Sequence, residues 1–217
     1  MEKLFLLIVT MTAAVSYPSA KCFVLISAYT IESPQFRVVH LESDFEVRLY
    51  EEMSWMSALV YGTSFENSTR DGFHRLYQYI HGDNLNATQF LMTAPVLTSV
   101  TPSAHGSAYI VRYYLPPTFD QTSPPQPSAE LNLQLDKWES HCIAVRMFPG
   151  YARDDNVDKE KDALLSSLGK HLPGLKQAAE NNYNYSIAQY NASKHPTGRI
   201  NEVWMDVSGF AAEGCPV

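Results

Sequence analysis

Ser68-Thr-Arg-Asp-Gly-Phe-His-Arg-Leu-Tyr-Gln-Tyr-Ile-His-Gly82 lies between two groups of strand-like segments and sets the architecture of the chain. Ser68 followed by Asp71 has the form of a capping box, so the spacing predicts a helix from here to about Ile80. Phe73, Leu76, Tyr77 and Ile80 recur at i, i+3, i+4 and i+7, which is a core-facing stripe, and Gly82 ends it. At about 100° per residue, Arg70, His74, Tyr77 and His81 form a second stripe beside the first. That edge is cationic, aromatic and apolar at once, and it could floor a shallow groove for a flat anionic ligand. The plainer reading is a solvated face whose long side chains lie along the surface. His74 and His81 stand about 10 Å apart along the axis, too far to chelate one metal comfortably.

On the N-terminal side, 36–40 and 45–50 alternate apolar and polar residues, and 53–61 is a further strand-like run. On the C-terminal side, 90–101 and 109–115 read as strands before a proline-rich loop at 116–127. The order then repeats: strands at 131–135 and 142–148, a helix from about 155 to 172, and strands at 185–190 and 202–207. Val157, Leu164, Leu168 and Leu172 give that helix its apolar spacing, with Pro173 closing it. Each half is expected to be a strand pair, a helix and a strand pair. An α+β domain follows, its antiparallel sheet forming a closed or nearly closed barrel.

Across the chain, 16 Lys and Arg against 23 Asp and Glu give a net charge of −7, which disfavours a grip on phosphate backbones. Hydrophobic residues make up 45% and charged ones 18%, a globular balance. No G-x-S-x-G, H-E-x-x-H, P-loop or G-x-G-x-x-G string occurs, and no C-x-x-C, so an enzyme is not expected. Asp154, Asp155, Asp158, Glu160 and Asp162 gather at the start of the second helix, where they complement its dipole.

Residues 1–28 begin with a charged Met1-Glu2-Lys3, continue as an apolar run and end in small residues, the pattern of a secretory signal peptide. Cleavage could follow Ser16, Ala20 or Ala28, and an uncleaved anchor is the alternative. Pro18 and Lys21 interrupt the apolar run, so no membrane span is expected in the mature chain. Sequons at Asn67, Asn86, Asn184 and Asn191 also point to the secretory pathway, extracellular or vacuolar. Cys22 leaves with the signal or sits in the start of the chain. Cys142 and Cys215 remain as a pair that an oxidising compartment could join, two free thiols being the alternative.

Glu32-Ser-Pro-Gln-Phe36, Asp44-Phe-Glu-Val-Arg-Leu-Tyr50, Gly72 to Gly82, Met92-Thr-Ala-Pro-Val96 and Asn201-Glu-Val-Trp204, taken together, resemble the SOUL haem-binding protein family, most of all its plant branch. The resemblance spans about 32–210, leaving 211–217 as a tail. It implies a distorted eight-stranded antiparallel barrel with two helices and two pseudo-symmetric halves. It also implies non-catalytic binding of haem or a related tetrapyrrole along the first helix; burial of a macrocycle face without axial ligation gives an expected affinity in the micromolar range, which suits a carrier or buffer. By that resemblance Phe73, Leu76 and Tyr77 form the apolar helix surface and Arg70 a propionate partner. Gln78 and His195 stand where the family has lysines, and Leu49 where one branch has a proposed axial histidine. His74 is then the candidate substitute ligand. Two other readings are a binding module for another small apolar effector, and an extracellular protein-interaction module using the proline loop.

Overall fold

The computed structural model describes residues 31–103, 106–119, 123–182, 184–190, 198–208 and 215. The expected signal segment, Asn191 and His195 lie outside the described residues. Among the described residues nine strands form one antiparallel sheet: β1 (Phe36–Leu41), β2 (Glu46–Tyr50), β3 (Met53–Gly62), β4 (Val96–Ser103), β5 (Gly106–Leu115), β6 (Leu133–Trp138), β7 (His141–Pro149), β8 (Tyr185–Gln189) and β9 (Ile200–Asp206). Helix α1 (Phe65–Ile80) follows β3, and α2 (Val157–His171) and α3 (Pro173–Asn182) follow β7. The fold is α+β and barrel-like, as the pattern predicts, and none of the described helices is long and apolar enough to cross a membrane.

The sheet order β1-β2-β7-β9-β8-β4-β5-β3-β6 contains two equivalent sets of four, β4-β5-β3-β6 and β8-β9-β7-β2, joined by the β4–β8 ladder. β1 is an extra strand beside β2, which takes the number from the eight implied to nine. The strand that leads into β3 and the strand that leads into β7 each pair outside their own half. β2 runs into β3 yet pairs with β7, while β6 runs into β7 yet pairs with β3. The partners Glu46↔Val145, Tyr50↔His141, Met53↔Trp138 and Ala58↔Leu133 keep one register through the corner at 51–52 and 139–140. The two sets are therefore laced by one bent ribbon, with the Ser140 hydroxyl donating to the Tyr50 carbonyl at the corner.

Alternation along the strands divides the side chains between two faces. Val111 and Tyr113 of β5 join Leu76, Tyr79 and Ile80 beneath α1, while a second cluster packs α2 and α3 on Val203, Met205 and Ile187. The opposite face holds Trp55, Tyr114, Leu97, Ile143 and Trp204. At one end of that face Arg48 donates to Glu46, Tyr50 and Glu202, all within 3.3 Å.

Several boundaries differ from expectation for local reasons. α1 begins one turn early, because the Ser64 hydroxyl accepts from the Asn67 amide while Ser68 is buried inside the helix. Asp154, expected to serve the second helix, instead takes the Phe65 amide and the Ser64 hydroxyl at the start of α1. Pro173 opens α3 rather than only closing α2, since a first-turn proline lacks an amide that would have no partner there anyway. β4 starts at Val96, after the cis Ala94–Pro95 bond.

Gly72 brings α1 onto β5: an added Cβ would lie 2.7 Å from Val111 Cβ and 3.4 Å from Val60 Cγ2. Gly72→Ala is expected to destabilise by about 1–3 kcal/mol, because helix and sheet must separate. Urea unfolding checks it, and a loss under about 0.5 kcal/mol would mean that the helix shifts freely.

Candidate functional site

α1 is held at both ends and along one edge. Arg75 donates to the Leu59 carbonyl at 2.6 Å and the Leu131 carbonyl at 3.3 Å, pinning the edge over β3. The described ends of the proline loop dock at the other end, where Tyr79 donates to the Pro125 carbonyl and the Leu85 amide to that of Gln126. With those constraints, the opposite edge faces solvent in a fixed orientation.

That edge carries most of the expected residues. Arg70, His74, Tyr77, Gln78 and His81 are exposed, and Phe73 is half-buried at the rim of the core. Leu76 is fully buried against the sheet, so it supports the surface from below and cannot touch a ligand. Tyr77 was expected in the core stripe but is 46% exposed; Tyr79 takes the core position instead. The reason is geometric, because the sheet lies nearer the side of the helix that bears Gly72, Leu76 and Tyr79.

The Tyr77 ring lies 6.3 Å from Phe73 and stacks on His81 at 3.8 Å with a 27° interplanar angle. The result is a short aromatic–imidazole strip on the outside of the helix. Arg70 Nη2 donates to Asn67 Oδ1 at 3.0 Å, and Arg70 Nε stands 3.6 Å from Asp71, so its charge is only partly matched by neighbours in solvent.

His81 has a role that spacing could not distinguish from that of His74. Its Nδ1 lies 2.8 Å from the Tyr77 carbonyl oxygen. A carbonyl only accepts, so Nδ1 carries the proton and Nε2 keeps its lone pair in the neutral ring. The same arrangement orients imidazoles that bind metals through the other nitrogen. Among the described residues, no group of three His, Cys, Asp or Glu side chains is placed to hold a metal ion by itself. Leu49, at the position of the missing strand histidine, is packed against the core beneath α2 and α3.

Cys142 and Cys215 form a disulfide. Of the sequons, Asn67, Asn86 and Asn184 are exposed.

The profile of the SOUL heme-binding protein family matches residues 31–206. Heme-binding protein 1 of Xenopus laevis is 30% identical over 162 residues, covering 74% of this chain and 82% of that protein. Heme-binding protein 2 of Homo sapiens is 26% identical over 186 residues, covering 82% of this chain and 87% of its own length. Among solved structures, a putative transcription regulation protein of Staphylococcus aureus aligns with a TM-score of 0.45 at 10% identity, over 76% of this chain and 99% of that one. With a match that runs from the segment before β1 to the end of β9, the chain belongs to the SOUL heme-binding protein family.

Proposed function

We propose that this protein binds haem or a related tetrapyrrole, without turnover, on the solvent edge of α1, and serves as a carrier or buffer in the secretory pathway. The observation that carries the reading is the exposed strip of Tyr77 stacked on His81 beside half-buried Phe73. The names of the relatives, both heme-binding proteins, support the ligand class. A macrocycle face laid on such a strip gains about 25 cal/mol for each Å² of apolar surface covered. Arg70 supplies one charge-assisted contact for a propionate. One cation and one open aromatic surface fit affinity in the micromolar range, about −8 kcal/mol. The disulfide and the exposed sequons suit an oxidising compartment.

Haem would supply an iron, and His81, whose Nδ1 is held by the Tyr77 carbonyl so that Nε2 keeps its lone pair, would be the residue on this edge to hold it, with His74 as the alternative. Tyr77→Ala is expected to weaken haem and iron-free protoporphyrin IX alike, by about tenfold, through lost burial and stacking. His81→Ala is expected to weaken haem and change its Soret band, while leaving protoporphyrin IX binding within about twofold. Parallel absorbance titrations of the two ligands check both. Saturable binding of neither ligand would remove the α1 reading. An unchanged Soret band in His81→Ala would remove the ligation and leave the surface.

A further inference from the structure

The inner face of the sheet, opposite all three helices, encloses an open cavity of about 570 Å³, a volume typical of small-ligand sites. Its lining comes from both halves of the sheet and is separate from α1. Apolar surface is supplied by Ile110, Ile143, Trp138 and Trp204. The polar centre is Arg112, 7% exposed on β5. Its Nε donates to Asp136 Oδ2 at 2.9 Å and its Nη1 to Ser99 Oγ at 2.6 Å, while the guanidinium carbon lies 5.1 Å from the Trp138 ring centroid. Among the described residues, Nη2 has no hydrogen-bond partner.

The second buried arginine on this face provides the contrast. Burial alone would depress the Arg48 guanidinium, yet the Glu202 carboxylate and contacts with Tyr50 and Glu46 more than reverse that. For Arg112 burial wins: its pKa is lowered, because one half-buried carboxylate, Asp136, does not offset the lost hydration. The guanidinium is paired with Asp136 through Nε and keeps donor capacity at Nη2 beside an aromatic wall, where a carboxylate could add a further charge-assisted contact. Two carboxylates, Glu139 and Asp206, also line the cavity and disfavour a ligand with more than one negative charge.

We propose that this cavity is a second binding site, for a small aromatic monocarboxylate whose carboxylate meets Arg112 and whose ring lies against Trp138 and Trp204. The site is independent of the tetrapyrrole surface, so a bound macrocycle leaves it open.

The chain's three tryptophans are Trp55, Trp138 and Trp204; two line the cavity, and the Trp55 ring lies 5.5 Å from that of Trp138, tilted by 52°. In the haem-free protein, tryptophan emission therefore arises in this region, and the calorimetry alone reads the haem-saturated protein. The test is calorimetric titration with 1-naphthoate and with neutral 1-naphthamide, followed in parallel by tryptophan emission. Naphthoate is expected to bind saturably, at least about tenfold more tightly than the amide, and equally well in protein saturated with haem. Arg112→Gln is expected to abolish the preference for the acid. Because that change could also disturb folding, Asp136→Asn supplies the opposite sign. It frees the guanidinium, so naphthoate should bind this variant more tightly than wild type and raise its melting temperature more. Equal affinity for acid and amide, no saturable binding, or weaker naphthoate binding by Asp136→Asn would each overturn the proposal.

Discussion

Glu202→Ala is expected to destabilise the protein by about 3–5 kcal/mol, the largest effect of any single polar substitution here. Glu202 sits on β9 at 4% exposure and accepts three hydrogen bonds: from Arg48 Nη1 at 2.9 Å, Tyr190 at 2.7 Å and Trp204 Nε1 at 2.7 Å. Removing it leaves two donors without a partner and strips Arg48 of its buried counter-charge, with only Glu46 remaining. Burial, and after it the Glu202 charge, pushes the Tyr190 hydroxyl well above its ordinary pKa, so it stays a donor at any physiological pH. Urea or guanidinium unfolding reads the loss, with the midpoint falling and the slope unchanged. Replacing both partners, Arg48→Met with Glu202→Leu, should lose less than Glu202→Ala alone, because no charge is left stranded. A loss under about 1 kcal/mol for Glu202→Ala would mean that water enters and takes over its role.

Neither Glu202 nor Arg112 stands out in the sequence, and the reason is physical. The period-2 alternation of β5 and β9 shows which residues share a face, but not that both faces of this sheet are covered. Polar residues on the inner face thus look like solvent-facing positions. Their meaning depends on pairings such as Arg48↔Ile143 and Ser186↔Trp204, between strands distant in the chain. The same limit hid the exchange of β2 and β6 between the halves: a two-residue link suggests a hairpin, and here it is the corner of a ribbon. What depends on local chemistry was legible. The nine strand runs, the helix ending at Gly82 and the exposed stripe of α1 all follow from spacing over a few residues. The fine division of that stripe was not legible, since Leu76 and Tyr77 are adjacent and only the helix's roll on the sheet decides which is buried. Nor could spacing tell His74 from His81; the difference is one hydrogen bond to the Tyr77 carbonyl.

The second large effect is expected at the disulfide. Cys142 and Cys215 are 73 residues apart, and the segment they close contains α2, α3, β8 and β9, the greater part of the second half. Cys142 is fully buried on β7, opposite Leu49 of β2, and its carbonyl accepts the Val207 amide. Cross-linking a loop of that length removes enough disorder from the unfolded chain to be worth roughly 4 kcal/mol by chain-entropy reasoning, with about 2–4 kcal/mol typical in practice. Cys215→Ser should therefore lower the melting temperature by about 5–15 °C. Thiol reduction of the wild type should produce a similar fall and have no effect on the variant. α1 and the edge proposed for the tetrapyrrole lie outside the closed segment, on the first half of the sheet. Tetrapyrrole affinity measured well below the transition should thus be the same with the bond open or closed. Unequal stability losses on mutation and reduction would show that the serine disturbs the fold in its own right. A melting temperature unmoved by either treatment would show that the tail adds nothing to the body it is tied to.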